Sequence, residues 1–174
     1  MGGIATLDPT QGLNYQPWKG YWNPANNTAY IHPLDSTDPH LPILTEPDVE
    51  DFTFTFDQNM RWTAAIRKED NSVKLYWYDS SLESYVITPY SGLISIKLAH
   101  DDHRDIQVLR GATDIIFTYL TTGGALKWRI QRDRYLTEYT HAGTTFPQTA
   151  MITHFGLSTA NRLQWRIGKR HLNT

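Results

Sequence analysis

Three times the chain uses one short apolar phrase, Leu-x-Trp. It stands at Leu75-Tyr76-Trp77-Tyr78, at Leu126-Lys127-Trp128-Arg129-Ile130 and at Leu163-Gln164-Trp165-Arg166-Ile167. Successive side chains of an extended strand point to opposite faces. Each Leu and Trp, with the Ile that follows in the second and third copies, therefore shares one side, while Lys127, Arg129, Arg162, Gln164 and Arg166 take the other. That is the pattern of a half-buried antiparallel strand. Its return at long intervals predicts an all-β chain assembled from copies of one small module.

The modules can be followed from residue 49 onward. Phe52, Phe54 and Phe56 alternate with Thr53 and Thr55 and lead to the turn Asp57-Gln58-Asn59. Trp62, Ala64 and Ile66 follow, then the turn Lys68 to Ser72, then Val73 to Tyr78, Asp79-Ser80-Ser81, and Tyr85-Val86-Ile87. Four strands joined by short polar turns make an up-and-down meander. A second set begins at Leu93, Ile94, Ile96 and Leu98 and turns at His100-Asp101-Asp102-His103. It continues through Asp114 to Leu120, the hairpin Thr121-Thr122-Gly123-Gly124, the second Leu-x-Trp and a closing Arg134-Tyr135-Leu136. After His141-Ala142-Gly143 a third set has only Ala150 to Phe155 and Arg162 to Ile167. The expected fold is antiparallel meander modules, propeller-blade-like or sandwich, with residues 49–174 as the β-domain. A truncated set leaves a sheet edge that something should cover.

Residues 1–48 read differently. They hold seven of the nine prolines, at positions 9, 17, 24, 33, 39, 42 and 47, with little sustained periodicity. Proline fixes φ and removes a donor, so the expectation here is an extended, proline-rich N-terminal arm. Its aromatic content implies docking, since a buried Trp removes ~150–250 Å² from water, worth roughly 4–6 kcal/mol as an upper bound. Trp18, Tyr21, Trp22, Tyr30 and Ile31 are the candidate partner-binding residues. Ala29-Tyr30-Ile31 is the fragment best suited to cover the unfinished edge, within the chain or on a neighbouring subunit.

Composition removes several classes of function. At 174 residues the chain suits one core. The absence of cysteine leaves no disulfide framework or thiolate metal site. The first eight residues lack a signal peptide's features and no apolar run approaches ~20 residues, so synthesis in a cytoplasm without membrane association is expected. Asn26-Asn27-Thr28 then reads as turn residues and not as a glycosylation site. A net charge of −2 with dispersed basic residues gives no nucleic-acid footprint.

No cluster compels a catalytic reading. His100-Asp101-Asp102-His103-Arg104-Asp105 has metal-ligand residue types but no second pole, and sits where a polar turn is needed, so no metal or cofactor is assigned. Arg129, Gln131, Arg132, Asp133, Arg134 and Glu138 suit intramolecular charge pairs better than a patch for a partner. The carboxylates Asp101, Asp102, Asp114, Asp133 and Glu138 have no spacing that defines a dyad, and nucleophile-elbow, phosphate-loop and zincin motifs are missing. The chain is therefore not expected to be an enzyme, although a depolymerase remains a rival reading. Ten Tyr and six Trp admit sugar stacking, with Tyr76, Tyr78, Tyr135 and Tyr139 as the candidate row, but most rings lie at alternating core positions.

One further likeness is in phrase order. Phe56-Asp57-Gln58-Asn59 with Leu75 to Asp79, Leu98 to Arg104 with Thr113-Asp114-Ile115-Ile116, Leu126 to Tyr135, and the closing His154 to Leu157 and Asn161 to Trp165 resemble small virion proteins of tailed bacteriophages. The likeness spans about residues 50–168. It implies a structural tail or neck component in the virion, assembled as a homo-oligomer and contacting other tail or neck proteins, and it brings no active-site residues. The alternative expectation is a carbohydrate-binding module that recognises a host surface.

Overall fold

The computed structural model describes residues 2–6, 17–34, 37, 39–57, 60–101, 114–157 and 163–170. Strands β1 (Gly2–Thr6), β2 (Pro17–Asn23), β3 (Thr28–Pro33) and β4 (Leu41–Thr45) form one antiparallel sheet in chain order. Strands β5 (Val49–Phe56), β6 (Trp62–Lys68), β7 (Val73–Asp79) and β8 (Ser84–Tyr90) form a second, and β9 (Leu93–Asp101), β10 (Asp114–Thr121), β11 (Leu126–Ile130) and β12 (Tyr139–Thr140) a third. Strands β13 (Ala150–Leu157) and β14 (Leu163–Lys169) make a two-stranded fourth.

The first strands of the four sheets lie side by side: β1 against β5, β5 against β9, β9 against β13. Each sheet packs its face on the next, and each gap is filled by its own apolar cluster. Ala29, Ile31, Phe52, Phe54, Phe56, Ala64 and Ile66 fill the first gap. Leu75, Trp77, Ile96, Ile115, Phe117 and Tyr119 fill the second, and Ile94, Ile116, Leu120, Leu126, Ile152 and Phe155 the third. Meanders arranged this way around their inner strands are propeller blades.

The alternation in β5 follows from this placement. Its phenylalanines face the first blade, whereas Thr53 faces β9, where its Oγ1 accepts the Leu98 backbone N–H at 3.3 Å. In the next blade Ser95 Oγ accepts the Ile152 N–H at 2.9 Å. A small hydroxyl on one inner strand thus meets the backbone of the next, which lets the strands converge without burying an unpaired polar group.

The arm expected over residues 1–48 is instead a blade. Its described prolines stand where a sheet tolerates them: Pro17 opens β2, Pro33 ends β3, Pro42 lies in edge strand β4, and Pro24, Pro39 and Pro47 lie between strands. Ala29-Tyr30-Ile31 belongs to β3, paired with β2 and β4, and does not cover β14. At Gly20 in β2 an added Cβ would stand 2.4 Å from the Phe54 ring, so the missing side chain is what lets the first blade seat on the second.

Two further expectations change. Arg134-Tyr135-Leu136 is not a strand: Gln131–Asp133 is a 3-10 turn, and the fourth strand of the third blade is Tyr139–Thr140. The first two Leu-x-Trp phrases do lie on the third strands of their blades, β7 and β11, but the third copy lies on β14, the second strand of its blade. Of the proposed turn at His100 to His103, His100 and Asp101 continue β9, and the rest lies outside the described residues.

Candidate functional site: the grooves between blades

Toward the outer strands each groove between blades brings a different set of side chains together. In the groove between the first and second blades, Trp62 stacks on Tyr85 with ring centroids 4.3 Å apart. Tyr78 meets Tyr85 edge-on at 5.5 Å, and the Arg61 guanidinium lies 4.0 Å over the Tyr78 ring. Tyr85 is 41 % exposed, and partial burial pushes its phenol up to about 12.

Deeper in this gap, Glu46 joins the two blades. It accepts hydrogen bonds from Tyr76 Oη and Lys74 Nζ, each at 2.5 Å, and pairs with Lys68 at 3.2 Å. Burial opposes its charge, but the bonds from Lys74, Tyr76 and Lys68 outweigh that and hold the carboxyl below its ordinary value of 4.5. A carboxyl lowered on folding stabilises the protein above the unfolded pKa, and that stability is lost as pH falls through the folded one. Glu46→Gln is expected to cost ~1.5–3 kcal/mol at pH 7, the range for charge-assisted hydrogen bonds. It should also flatten the fall in Tm below pH 4.5; a melting profile parallel to that of the unmodified protein from pH 7 to pH 3 would contradict this.

The groove between the second and third blades is filled. Glu138 accepts from Tyr119 Oη at 2.6 Å and from Arg129 at 2.9 Å, and pairs with Lys127. Burial disfavours the Glu138 charge, yet the bonds from Lys127 and Tyr119 and the nearby cations hold its pKa low. Arg129 also donates to the Tyr135 and Leu136 carbonyls, each at 2.9 Å. The cluster Arg129 to Glu138 is therefore an intramolecular network, as its charge pattern suggested.

In the groove between the third and fourth blades, strands β11 and β12 of the third blade meet β13 and β14, the two strands of the fourth among the described residues. There Trp128 stacks with Tyr139 at 5.7 Å and meets Trp165 at 5.5 Å, and His141 lies 6.0 Å from Trp165. Trp165 is fixed from beneath by Phe155, stacked at 5.5 Å, and by its Nε1, which donates to Thr118 Oγ1 at 2.9 Å. Both tryptophans are half-buried, while Tyr139 and His141 are exposed. The result is a rigid shelf of rings with one face in water.

The candidate residues read from sequence divide accordingly. Ile31 is buried, and Trp18 and Trp22 pack in the first inter-blade cluster, Trp18 edge-on to Phe56 at 5.2 Å. Those three pack within the chain. Tyr21 and Tyr30 stack at 5.5 Å on the opposite face of the blade, beside His32 and His40. Of the suggested sugar row, Tyr76 and Tyr135 are buried, Tyr78 lies in the first groove and Tyr139 on the last shelf. The sequence reading missed Trp128 and Trp165, whose phrase marks them as core. Nothing in that phrase separates them from Trp77.

No protein-family model matches the chain, and no curated protein matches it. Solved structures do match in fold. A mutant of the Aleuria aurantia lectin in complex with Fucα1-6GlcNAc aligns with a TM-score of 0.54 at 13 % identity, over 96 % of this chain and 60 % of that one. The chain has a propeller fold. SapL1 lectin in complex with α-methyl fucoside gives a TM-score of 0.51 at 12 % identity, over 95 % of this chain and 63 % of that one. A fungal lectin described as a six-bladed β-propeller, again from Aleuria aurantia, gives 0.50 at 13 %. The chain thus spans less than two thirds of the length of these lectins.

Proposed function

We propose that the chain is a carbohydrate-binding β-propeller module and that its recognition surface is the shelf formed by Trp128, Tyr139 and Trp165 with His141. The observation that carries this is the shelf itself: locked rings, half in water, flanked by a polar imidazole. A pyranose has an apolar C–H face and a rim of hydroxyls, so it can lay the first on an indole while the second stays hydrated or bonds to nearby polar groups. The fucosides bound by the lectins of similar fold support this reading over a purely structural role. The module is proposed as a binder and not a catalyst.

A glycan array, followed by calorimetry on the best hits with methyl α-L-fucoside included, tests the proposal. Trp128→Ala is expected to weaken binding at least tenfold with the fold retained, since the indole is half-exposed and its neighbours remain. An array with no signal, or a Trp128→Ala protein of undiminished affinity, would overturn it.

The likeness of phrase order to phage virion proteins favours a second, compatible reading. It would place several copies of such a module on a virus particle, among tail or neck proteins, where multiple weak sugar contacts gain strength through effective concentration. Mass spectrometry of purified particles, reporting presence and copy number, tests that placement.

A further inference from the structure

The first blade has a second face, turned away from the apolar gap it helps to fill. Side chains alternate along β2 and β3, so Trp18, Trp22, Ala29 and Ile31 enter that gap while Tyr21, Tyr30 and His32 look the other way. Strand β4 pairs with β3 at Leu41 and Ile31, and the antiparallel register continued by one residue sets His40 opposite His32. The two imidazoles rise off the same face and stack, with ring centroids 4.1 Å apart and planes 11° from parallel. His32 is half-buried and His40 exposed.

Each ring is held through its Nδ1. That of His32 lies 2.9 Å from the Pro33 carbonyl, which can only accept, so the proton sits on Nδ1 and the lone pair on Nε2. That of His40 lies 2.6 Å from Tyr21 Oη, an oxygen able to accept the same kind of bond. Tyr21 is fixed in turn by stacking on Tyr30 at 5.5 Å, whose hydroxyl accepts from Asn26 Nδ2 at 2.7 Å. Among the described residues no hydrogen bond reaches either Nε2. A histidine that ligates a metal through one nitrogen characteristically donates the other N–H to an oxygen acceptor, which fixes both tautomer and ring orientation. Here that acceptor is in place for both rings.

We propose that His32 and His40 bind one divalent transition-metal ion, of the group Cu²⁺, Ni²⁺ and Zn²⁺, through their Nε2 atoms. Imidazole is a ligand these ions favour, and Cu²⁺ should bind most tightly. Bonds of ~2.0–2.1 Å to one ion require the two nitrogens to stand ~3 Å apart, which the rings reach by splaying slightly from their stack. No third His or carboxylate joins them among the described residues, so water fills the remaining positions and the ion exchanges readily. Lys19, opposite His32 on β2, is exposed, and its long stem lets the ammonium stay in water away from the ion. With one ligand on β3 and the other at the start of β4, the ion would clip the two ends of the intervening loop together. The site is independent of the carbohydrate reading above.

Calorimetry and EPR of the untagged full chain with Cu²⁺, and ¹⁵N NMR of the histidine rings with Zn²⁺, test it. One ion per chain is expected, with nitrogen coupling in the copper spectrum and with zinc moving the His32 and His40 Nε2 resonances while sparing His141 and His154. His40→Gln and His32→Gln should each weaken Cu²⁺ roughly tenfold or more, since each deletes one of two protein ligands. A melt in EDTA checks that each variant is folded, and the exposed His40 position makes its variant the safer of the two. Zn²⁺ should raise the Tm of the unmodified chain and not that of His40→Gln. Tyr21→Phe removes the acceptor at His40 Nδ1 and should weaken binding about tenfold at unchanged stoichiometry. Unaltered affinity there would overturn the positioning role given to Tyr21. Absence of saturable uptake, or uptake that survives both histidine substitutions with zinc shifts at His100 or His103 instead, would overturn the site.

Discussion

A chain lacking residues 1–48 is expected to lose its cooperative fold, not to persist as a trimmed β-domain. The first blade supplies Ala29 and Ile31, with Trp18 and Trp22 packed beside them, to the cluster that covers Phe52, Phe54, Phe56, Ala64 and Ile66. Each phenylalanine buries ~150–250 Å², so uncovering one side, about half, of all three forfeits on the order of 6–9 kcal/mol at ~25 cal/mol per Å², as an upper bound. That is comparable with the whole stability of a domain this size, about 5–15 kcal/mol. The truncated protein should bind a hydrophobic dye, show collapsed NMR dispersion and melt without a sigmoidal transition. A sharp melt within a few degrees of the full chain would mean that residues 1–48 are an appendage after all.

The same stretch shows where sequence reading succeeds and where it stops. The Phe/Thr alternation of β5, the hairpin at Thr121 to Gly124 and the four-strand order of the set from Phe52 to Ile87 were legible because each is a local pattern of period two bounded by turn chemistry. The first blade was not, because its prolines suppress that pattern and proline count says nothing about whether each one sits at a strand start, a strand end or an edge. The 3-10 turn after Ile130 was hidden for a different reason. Arg134 and Tyr135 adopt left-handed backbone under tertiary contacts from Asp79 and Arg129, a constraint that comes from two other strands. The shelf was not legible, because which rings meet there depends on which face of β11 looks toward β14.

That dependence leads to the largest single-residue effect expected. Trp77 and Trp128 occupy the same phrase on the same strand of successive blades, and both face the blade that follows. The blade following Trp77 is complete, and the indole is 4 % exposed, donating from Nε1 to Thr88 Oγ1 at 3.0 Å with Tyr135 against its ring. Trp77→Ala removes a large side chain from a filled gap and leaves the Thr88 hydroxyl unpaired, so a loss of ~3–5 kcal/mol is expected. Trp128 is only half-buried, so the same substitution there deletes a ring already half in water; the expected cost is under ~2 kcal/mol, with the loss appearing in sugar binding instead. Urea denaturation of the two variants, with m-values compared to confirm a common unfolded state, separates these outcomes. Equal destabilisation would mean that the Trp128 face of the third blade is structural core, and the shelf would then have no claim to be a binding surface.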